Sequence, residues 1–198
     1  MTPRRESREN MKPTSFAALA FSATLLVAAC GSSVAKPTPT ASSPVTQEAL
    51  RRLLTVDDVL EVTSLPVKFT GVQDFRAMAA SADPAQVREI DSWLGLGFQQ
   101  TDGDQWISLT VVEFETFEAA STYYDRVRAD DGLEIVEEIA GVASAAAEPN
   151  AQGIGAMVAF LKGDKVVTLH SVMPLGQVNT LVDLQGLIRL ARAVERRL

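Results

Sequence analysis

The clearest alternation of apolar and polar positions lies in the stretch WISLTVVEF. Ile107, Leu109 and Val111 recur at every second position, which is the period of a strand with one buried face. Val112 and Phe114 add apolar side chains on the opposite face. Because a strand covered on both sides lies inside a sheet, we predict a central strand here.

Helix signals occur in four stretches of the chain. Thr46 and Thr55 are N-cap residues for two short helices, or for one broken helix. Asp83 precedes a proline at the first helical position, so we predict a helix over residues 83–94. The last two helices present apolar stripes to the core: Phe117, Ala120, Tyr124 and Val127 in one, and Leu181, Leu184, Ile188, Ala191, Val194 and Leu198 in the other.

Strand signals fill the intervals between these helices. We predict a short strand over Pro66–Val72, a hairpin around the DGD turn, and a second hairpin whose Gly163 suits a type II′ turn. A further strand, LEIVEEI, places Leu133, Ile135 and Ile139 on one face.

The order of elements, α–β–α–β–β–α–β–β–β–α, sets the fold class. Strands that follow one another as hairpins, with helices before, between and after them, are typical of α+β proteins. We therefore predict a mainly antiparallel sheet with helices packed on it. It forms a single soluble domain over residues 47–198, after a signal peptide and a linker.

The first 29 residues predict a secretory signal peptide. The uncharged stretch FAALAFSATLLVAA has 14 residues, whereas a helix needs about 20 to span a bilayer. Basic residues precede it and small residues end it, as in a signal peptide with its cleavage site. Met11 is an alternative start. The Arg4-Arg5 pair lacks the hydrophobic neighbours of a twin-arginine signal.

The stretch ends at Cys30, the only cysteine, so no intramolecular disulfide can form. Val27, Ala28, Ala29 and Cys30 together resemble the lipobox of bacterial lipoproteins. The resemblance implies lipid transfer to the Cys30 sulfur, cleavage before that residue, and acylation, as with palmitate, of the new amino group. Two or three acyl chains hold a protein firmly. We expect a lipid anchor at a cell membrane on its extracytoplasmic side; an unanchored secreted protein is the alternative.

Composition after the anchor predicts a tether and excludes one class of partner. Residues 30–46 are rich in Ser, Thr, Pro and Ala, as in a flexible linker. Residues 31–198 contain 14 basic and 23 acidic side chains, a formal net charge of −9. Such a domain repels phosphate backbones, so we predict no nucleic-acid partner.

Four short motifs of the domain carry a second resemblance. They lie at Phe114–Ala120, Gly141–Ala143, Phe160–Val167 and Leu187–Leu198. Together they are similar to small extracytoplasmic sensor-type or uncharacterised lipoprotein domains of bacteria. The resemblance covers about half of the chain and implies a module that binds a ligand or a partner.

Few residues of the domain carry catalytic chemistry. His170 is the only histidine, and no nucleophile signature such as G-x-S-x-G accompanies it, so we expect a locally hydrogen-bonded strand residue. The DGD and DDG stretches lack the further acidic ligands of a calcium loop, so we predict turns. We predict no enzymatic activity, no metal and no cofactor.

Trp93, Phe98 and Trp106 are the candidate ligand-binding residues, although core packing is the commoner use of such side chains. The segment Gly71–Gly97 is a long connection between strands, and we predict a hydrophobic groove beside it. The leading interpretation is a membrane-tethered, non-enzymatic lipoprotein whose domain binds a ligand or an envelope partner. A carrier of a lipid or another hydrophobic molecule, an envelope enzyme, and a structural or assembly factor stay open.

Overall fold

Hairpin turns and capped helices order the chain into alternating elements. The computed structural model describes residues 44–82, 87–136, 139, 143–147, 154–174 and 181–198. The elements within these ranges are α1 (Gln47–Leu53), α2 (Val56–Leu60), β1 (Val67–Asp74), α3 (Phe75–Ala82), β2 (Ile90–Gln100), β3 (Trp106–Phe114), α4 (Phe117–Asp130), β4 (Glu134–Ile135), β5 (Ala143–Ala147), β6 (Ile154–Lys162), β7 (Lys165–Val172) and α5 (Leu184–Arg197).

The strands form one sheet in the order β1-β2-β3-β7-β6-β5-β4, and every pairing among these described strands is antiparallel. Helices pack on both faces of the sheet. The predicted α+β class, an antiparallel sheet with helices packed on it, is therefore confirmed. All described residues belong to one compact unit, Ser42–Leu198.

Strand β3 lies between β2 and β7, in the interior of the sheet as predicted. Ile107, Leu109 and Val111 are fully buried in a core formed with α1, α2 and α5. We call this side of the sheet the closed face. Val112 and Phe114 are buried on the opposite side, in a second core beneath α4.

The caps predicted at Thr46 and Thr55 and the turn predicted at Gly163 are present. Thr46 and Thr55 begin α1 and α2, and Thr55 forms a capping box with Asp58. Thr116 begins α4, accepting a hydrogen bond from the Ala119 N–H at 3.1 Å. Gly163, in the turn between β6 and β7, has φ +60°, which a glycine adopts without strain.

The helix predicted over residues 83–94 is wrong. The helix lies earlier, at Phe75–Ala82, and strand β2 begins at Ile90. Residues 83–86 lie outside the described residues. Ile90 and Leu94, which a helix would place on one side, are buried on opposite faces of the sheet, with a register shift between Ile90 and Ser92. Pairing with β1 and β3 satisfies the backbone of β2.

Two predicted buried side chains are exposed instead. Phe117, in the first turn of α4, is 61% exposed, while Ala120 and Tyr124 in the next turns are buried. Ile135 is 71% exposed because β4 is a two-residue edge strand, although Leu133 and Ile139 are buried as predicted.

Two other boundaries differ from the predictions. Leu181 is buried but precedes the final helix, which begins after the Asp183 cap. Strand β5 was not predicted because its sequence, ASAAA, has low strand propensity and gains its order from pairing with β4 and β6.

Several ion pairs join elements of the closed face, among them Glu113–Lys165 and Asp58–Arg197. Glu113 and Lys165 are almost fully buried, with Oε1 and Nζ 2.8 Å apart, and Asp164 Oδ1 lies 2.7 Å from the same Nζ. The second pair joins α2 to α5, where Arg197 Nη1 and Nη2 donate to the two carboxylate oxygens of Asp58 at 2.6 and 2.7 Å. This pairing lowers the pKa of the Asp58 carboxyl well below its ordinary value.

The signal peptide, the lipobox with Cys30 and most of the linker lie outside the described residues. The last linker residues are described. The Val45 N–H donates to Glu113 Oε2 at 2.9 Å, which joins the start of the domain to the end of β3. No helix in the described ranges is both long enough and apolar enough to cross a membrane.

Candidate ligand-binding cleft

A cleft of about 630 Å³ lies on the sheet side opposite the closed face, which we call the cleft face. Strands β1, β2 and β3 and the start of α3 form it. This volume is within the range of small-molecule sites, roughly 300–1,000 Å³. The lining residues are Thr70, Gly71, Val72, Gln73, Phe75, Gly95, Leu96, Gly97, Gln99, Trp106, Ser108, Leu109 and Thr110.

Strand alternation decides which side chains reach the cleft. Leu94, Leu96 and Phe98 of β2 are buried in the core of the closed face. Because side chains alternate along a strand, the residues between them face the cleft side of the sheet. The antiparallel register then places these residues beside every second residue of β3, as the pairs Gly95–Thr110, Gly97–Ser108 and Gln99–Trp106.

Two glycines of β2 leave space at the floor of the cleft, the part of its lining formed by the sheet. A Cβ at Gly95 would overlap the ring of Phe75, so this glycine lets Phe75 lie directly on the sheet. A Cβ at Gly97 would come within 2.7 Å of Thr70 Oγ1. Without these two side chains, the sheet surface between α3 and Trp106 is left as a depression.

Only one of the three predicted aromatic residues lines the cleft. Trp106 forms part of the wall and is 43% exposed. Trp93 packs against Phe75 with ring centroids 5.9 Å apart and stays outside the lining. Phe98 is 1% exposed in the core of the closed face, so it contributes to packing rather than to the cleft.

A groove lies beside Gly71–Gly97, as predicted, and apolar side chains form part of its lining. Hydroxyl and amide side chains, which the prediction did not include, form another part of the lining. The residues that sequence reasoning missed are Gln73, Gln99, Ser108 and Thr110. The stretch LGLGF carried the available signal, because alternate glycines in a strand mark a face that something approaches closely.

His170 lies beside the cleft rather than in it. The register pairs it with Ser108, on the strand next to the floor. Burial lowers the pKa of His170 below its usual value of 6.5, and the negative charge of Asp131 opposes this shift. His170 is half-buried within strand β7.

A second depression, of about 580 Å³, lies at the start of α4. Its lining carries charges of both signs, Arg88 and Arg126 with Glu89 and Glu118. The Arg126 guanidinium lies 5.0 Å from the Tyr123 ring centroid, so one of its cations already has an aromatic partner. None of the three candidate ligand-binding residues predicted from sequence lines this depression.

No metal-binding group of three or more His, Cys, Asp or Glu side chains occurs among the described residues.

Comparison with known proteins identifies no family. No protein-family model matches the chain, and no curated protein matches it either. A solved structure, the extracellular domain of PknH from Mycobacterium tuberculosis, is similar at 17% identity with a TM-score of 0.44. The similarity covers 78% of this chain and 97% of that one. At these values it carries no argument about this protein.

Proposed function

We propose that this protein is a lipid-anchored, non-enzymatic binding module on the extracytoplasmic side of a cell membrane. The anchor is the lipidated Cys30, and residues 31–46 are its tether. The cleft face of the domain holds a small ligand. The observation that carries the binding function is the cleft of about 630 Å³, in which Trp106 remains 43% exposed on an ordered strand.

The anchor rests on the Val27–Cys30 pattern and is tested on its own. Because Cys30 is the only cysteine, a thioether-linked lipid has one attachment site. We expect mass spectrometry of the membrane fraction to find an N-terminal peptide that begins with lipidated Cys30. Cys30→Ser moves the protein out of that fraction, whereas the control Ser32→Ala does not. An unmodified Cys30 in the processed, membrane-bound protein would contradict the anchor.

The binding function rests on how the exposed side chains are held. Trp106 is paired on both sides, with Gln99 and with Val172, so its backbone is fixed while its indole stays accessible. A half-exposed aromatic residue beside a preformed depression is a common arrangement in ligand sites, since little entropy is lost when the ligand is bound.

The test uses the fluorescence of Trp106. In a Trp93→Phe background Trp106 is the only tryptophan of the chain. The full chain, made lipid-free by Cys30→Ser, is titrated with the uncharged sugar N,N′,N″-triacetylchitotriose (called chitotriose below), sodium oleate, trialanine and inorganic phosphate. We expect a saturable change with at least one probe, and we expect Ser108→Leu to abolish it by filling the floor.

Phe117→Ala is the matched control, because it removes an exposed aromatic ring that is not part of the cleft lining. No response to any of the four probes would count against a binding function for this cleft. A response to oleate alone would favour the alternative of a carrier for hydrophobic molecules.

A further inference from the structure

We propose that the cleft binds a neutral, polyhydroxylated ligand, such as a sugar ring or a short uncharged glycan. This inference rests on the proposed binding function and adds the chemical class of the ligand. Among the thirteen lining residues none is charged, in a chain of which 22% of residues are charged.

An uncharged lining selects against charged ligands. A carboxylate or an ammonium group that leaves water for such a site loses its hydration and finds no opposite charge in return. The formal net charge of −7 adds long-range repulsion for anions. The nearest cation in the strand register is Lys68, which is exposed, pairs with Gln99 and is not part of the lining.

The polar side chains of the lining can form the hydrogen bonds that a sugar requires. Hydroxyl groups come from Thr70, Ser108 and Thr110, and amide groups from Gln73 and Gln99. Each of these groups can both donate and accept, as every sugar hydroxyl does. Within the described part of the chain, the hydroxyls of Ser108 and Thr110 have no protein hydrogen-bond partner and remain available to a ligand.

The aromatic side chains provide apolar surface at the cleft. Trp106 and Phe75 both contribute to the lining. The face of an aromatic ring is the negative part of its quadrupole, so it attracts the polarised C–H groups on the flat side of a sugar ring. A fatty acyl chain needs no hydroxyl or amide groups, and burying them beside it would leave them unsatisfied.

The strand beyond the floor adds no charge either. His170 is next to Ser108 in the register, and burial lowers the pKa of this imidazole, so it is neutral at pH 7. Thr168 follows on the same face, beside Thr110. The uncharged surface therefore continues from the lining onto β7.

The experiment compares ligands of equal size and different charge. Calorimetry on the Cys30→Ser full chain measures chitotriose, maltotriose and trigalacturonate, the last of which carries three carboxylates. We expect at least one neutral trisaccharide to bind at least tenfold more tightly than trigalacturonate. Trp106→Ala should weaken that binding at least tenfold, and Phe117→Ala should change it by less than twofold.

A second pair of variants keeps the test valid if Trp106→Ala disturbs the fold. Thr110 and Thr168 are directly paired on the same face, but only Thr110 lines the cleft. Thr110→Val removes one hydroxyl at nearly constant shape and should weaken trisaccharide binding about fivefold. Thr168→Val is the control and should leave the affinity within twofold.

Three results would overturn the inference. The first is trigalacturonate binding as tightly as the neutral sugars, and the second is sugar binding that survives both Trp106→Ala and Thr110→Val. The third is a saturable response to oleate, trialanine or phosphate without a response to the neutral trisaccharides, which would leave the proposed binding function intact. The absence of a response to every probe would reject both the sugar specificity and the proposed binding function.

Discussion

The two faces of the sheet differ in how completely they are covered. The closed face carries Leu, Ile, Val and Phe side chains, and α1, α2 and α5 pack over them. Among the described residues, the cleft face has an apolar core beneath α4 and α3, and between α3 and Trp106 its surface is formed in part by Gly, Ser, Thr and Gln residues. The same three strands therefore stabilise the fold on one side and leave an accessible surface on the other.

The cleft lining also differs from the closed face in its charge. The buried pair Glu113–Lys165 and the pair Asp58–Arg197 belong to elements of the closed face, whereas the cleft lining is uncharged. Since the side chains of neighbouring strand residues point to opposite faces of the sheet, one of two adjacent residues contributes to the core and the other to the cleft. Substituting two neighbours on one strand therefore tests the comparison directly.

The largest effect is expected at Phe98, next to Gln99 on β2. Phe98→Ala leaves a cavity in the closed-face core and should lower the free energy of unfolding by about 3–5 kcal/mol. Gln99→Ala removes one side-chain hydrogen bond to the Gly103 carbonyl and should cost less than about 1 kcal/mol. Urea denaturation measures both. Equal losses at the two positions would refute the division of roles between the faces.

The next effect concerns the buried ion pair at the end of β3. Glu113→Leu leaves the Lys165 ammonium buried with fewer anionic partners, and breaking such a pair costs roughly 3 kcal/mol. The control Asp164→Asn removes the more exposed partner of the same lysine and should cost about 1 kcal/mol. Chemical denaturation provides the comparison. A smaller loss for Glu113→Leu than for Asp164→Asn would contradict the importance of burial here.

Glu113→Leu has a second, local consequence. The Val45 N–H loses its acceptor, so its hydrogen exchange should become faster in this variant. The Leu50 N–H, which donates to the Thr46 carbonyl, is a nearby control that should keep its protection. Unchanged exchange at Val45 would mean that Glu113 does not hold the start of the domain.

Sequence reasoning predicted the elements that local patterns define. The alternation at Ile107, Leu109 and Val111 identified a central strand, and the caps at Thr46 and Thr55 marked helix starts correctly. The helix over residues 83–94 was wrong although Val87, Ile90 and Leu94 have helical spacing, since Ile90 and Leu94 are buried on opposite faces of the sheet. Pairing with β1 and β3, which no local pattern encodes, decided for a strand.

The sequence predicted where the cleft lies but not all of the residues that line it. Trp106 and the segment after Gly71 were identified. The polar residues of the lining come together only through the register that joins β1, β2 and β3. Phe98 and Trp106 are both aromatic and both near a turn. Only the alternation of the folded strands shows that one is in the core and the other in the cleft wall.

The ion pair between α2 and α5 makes the closed face sensitive to acid. Arg197 is the main cause of the lowered pKa of Asp58, so this carboxylate stabilises the fold above its ordinary pKa of 3.8 and loses that contribution as the pH falls further. Arg197→Met should lower the free energy of unfolding by about 1 kcal/mol at pH 7, a small loss because Arg197 is partly exposed. In this variant the free energy of unfolding should depend less on pH below 3.8. Arg196→Met, on the neighbouring residue, is the control for thermal unfolding at each pH.

The smallest effect is expected on the cleft face, at His170. Burial lowers the pKa of this imidazole below 6.5, so the unfolded chain takes up a proton at a higher pH than the folded one. Stability should therefore decrease as the pH falls below 6.5, with Asp131 reducing the effect by favouring the protonated form. His170→Gln should flatten this part of the profile, and His170 should titrate below 6.5 by NMR. A folded-state pKa above 6.5 would show that the strand beside the cleft floor carries a positive charge, and the contrast in charge between the two faces would then not extend to β7.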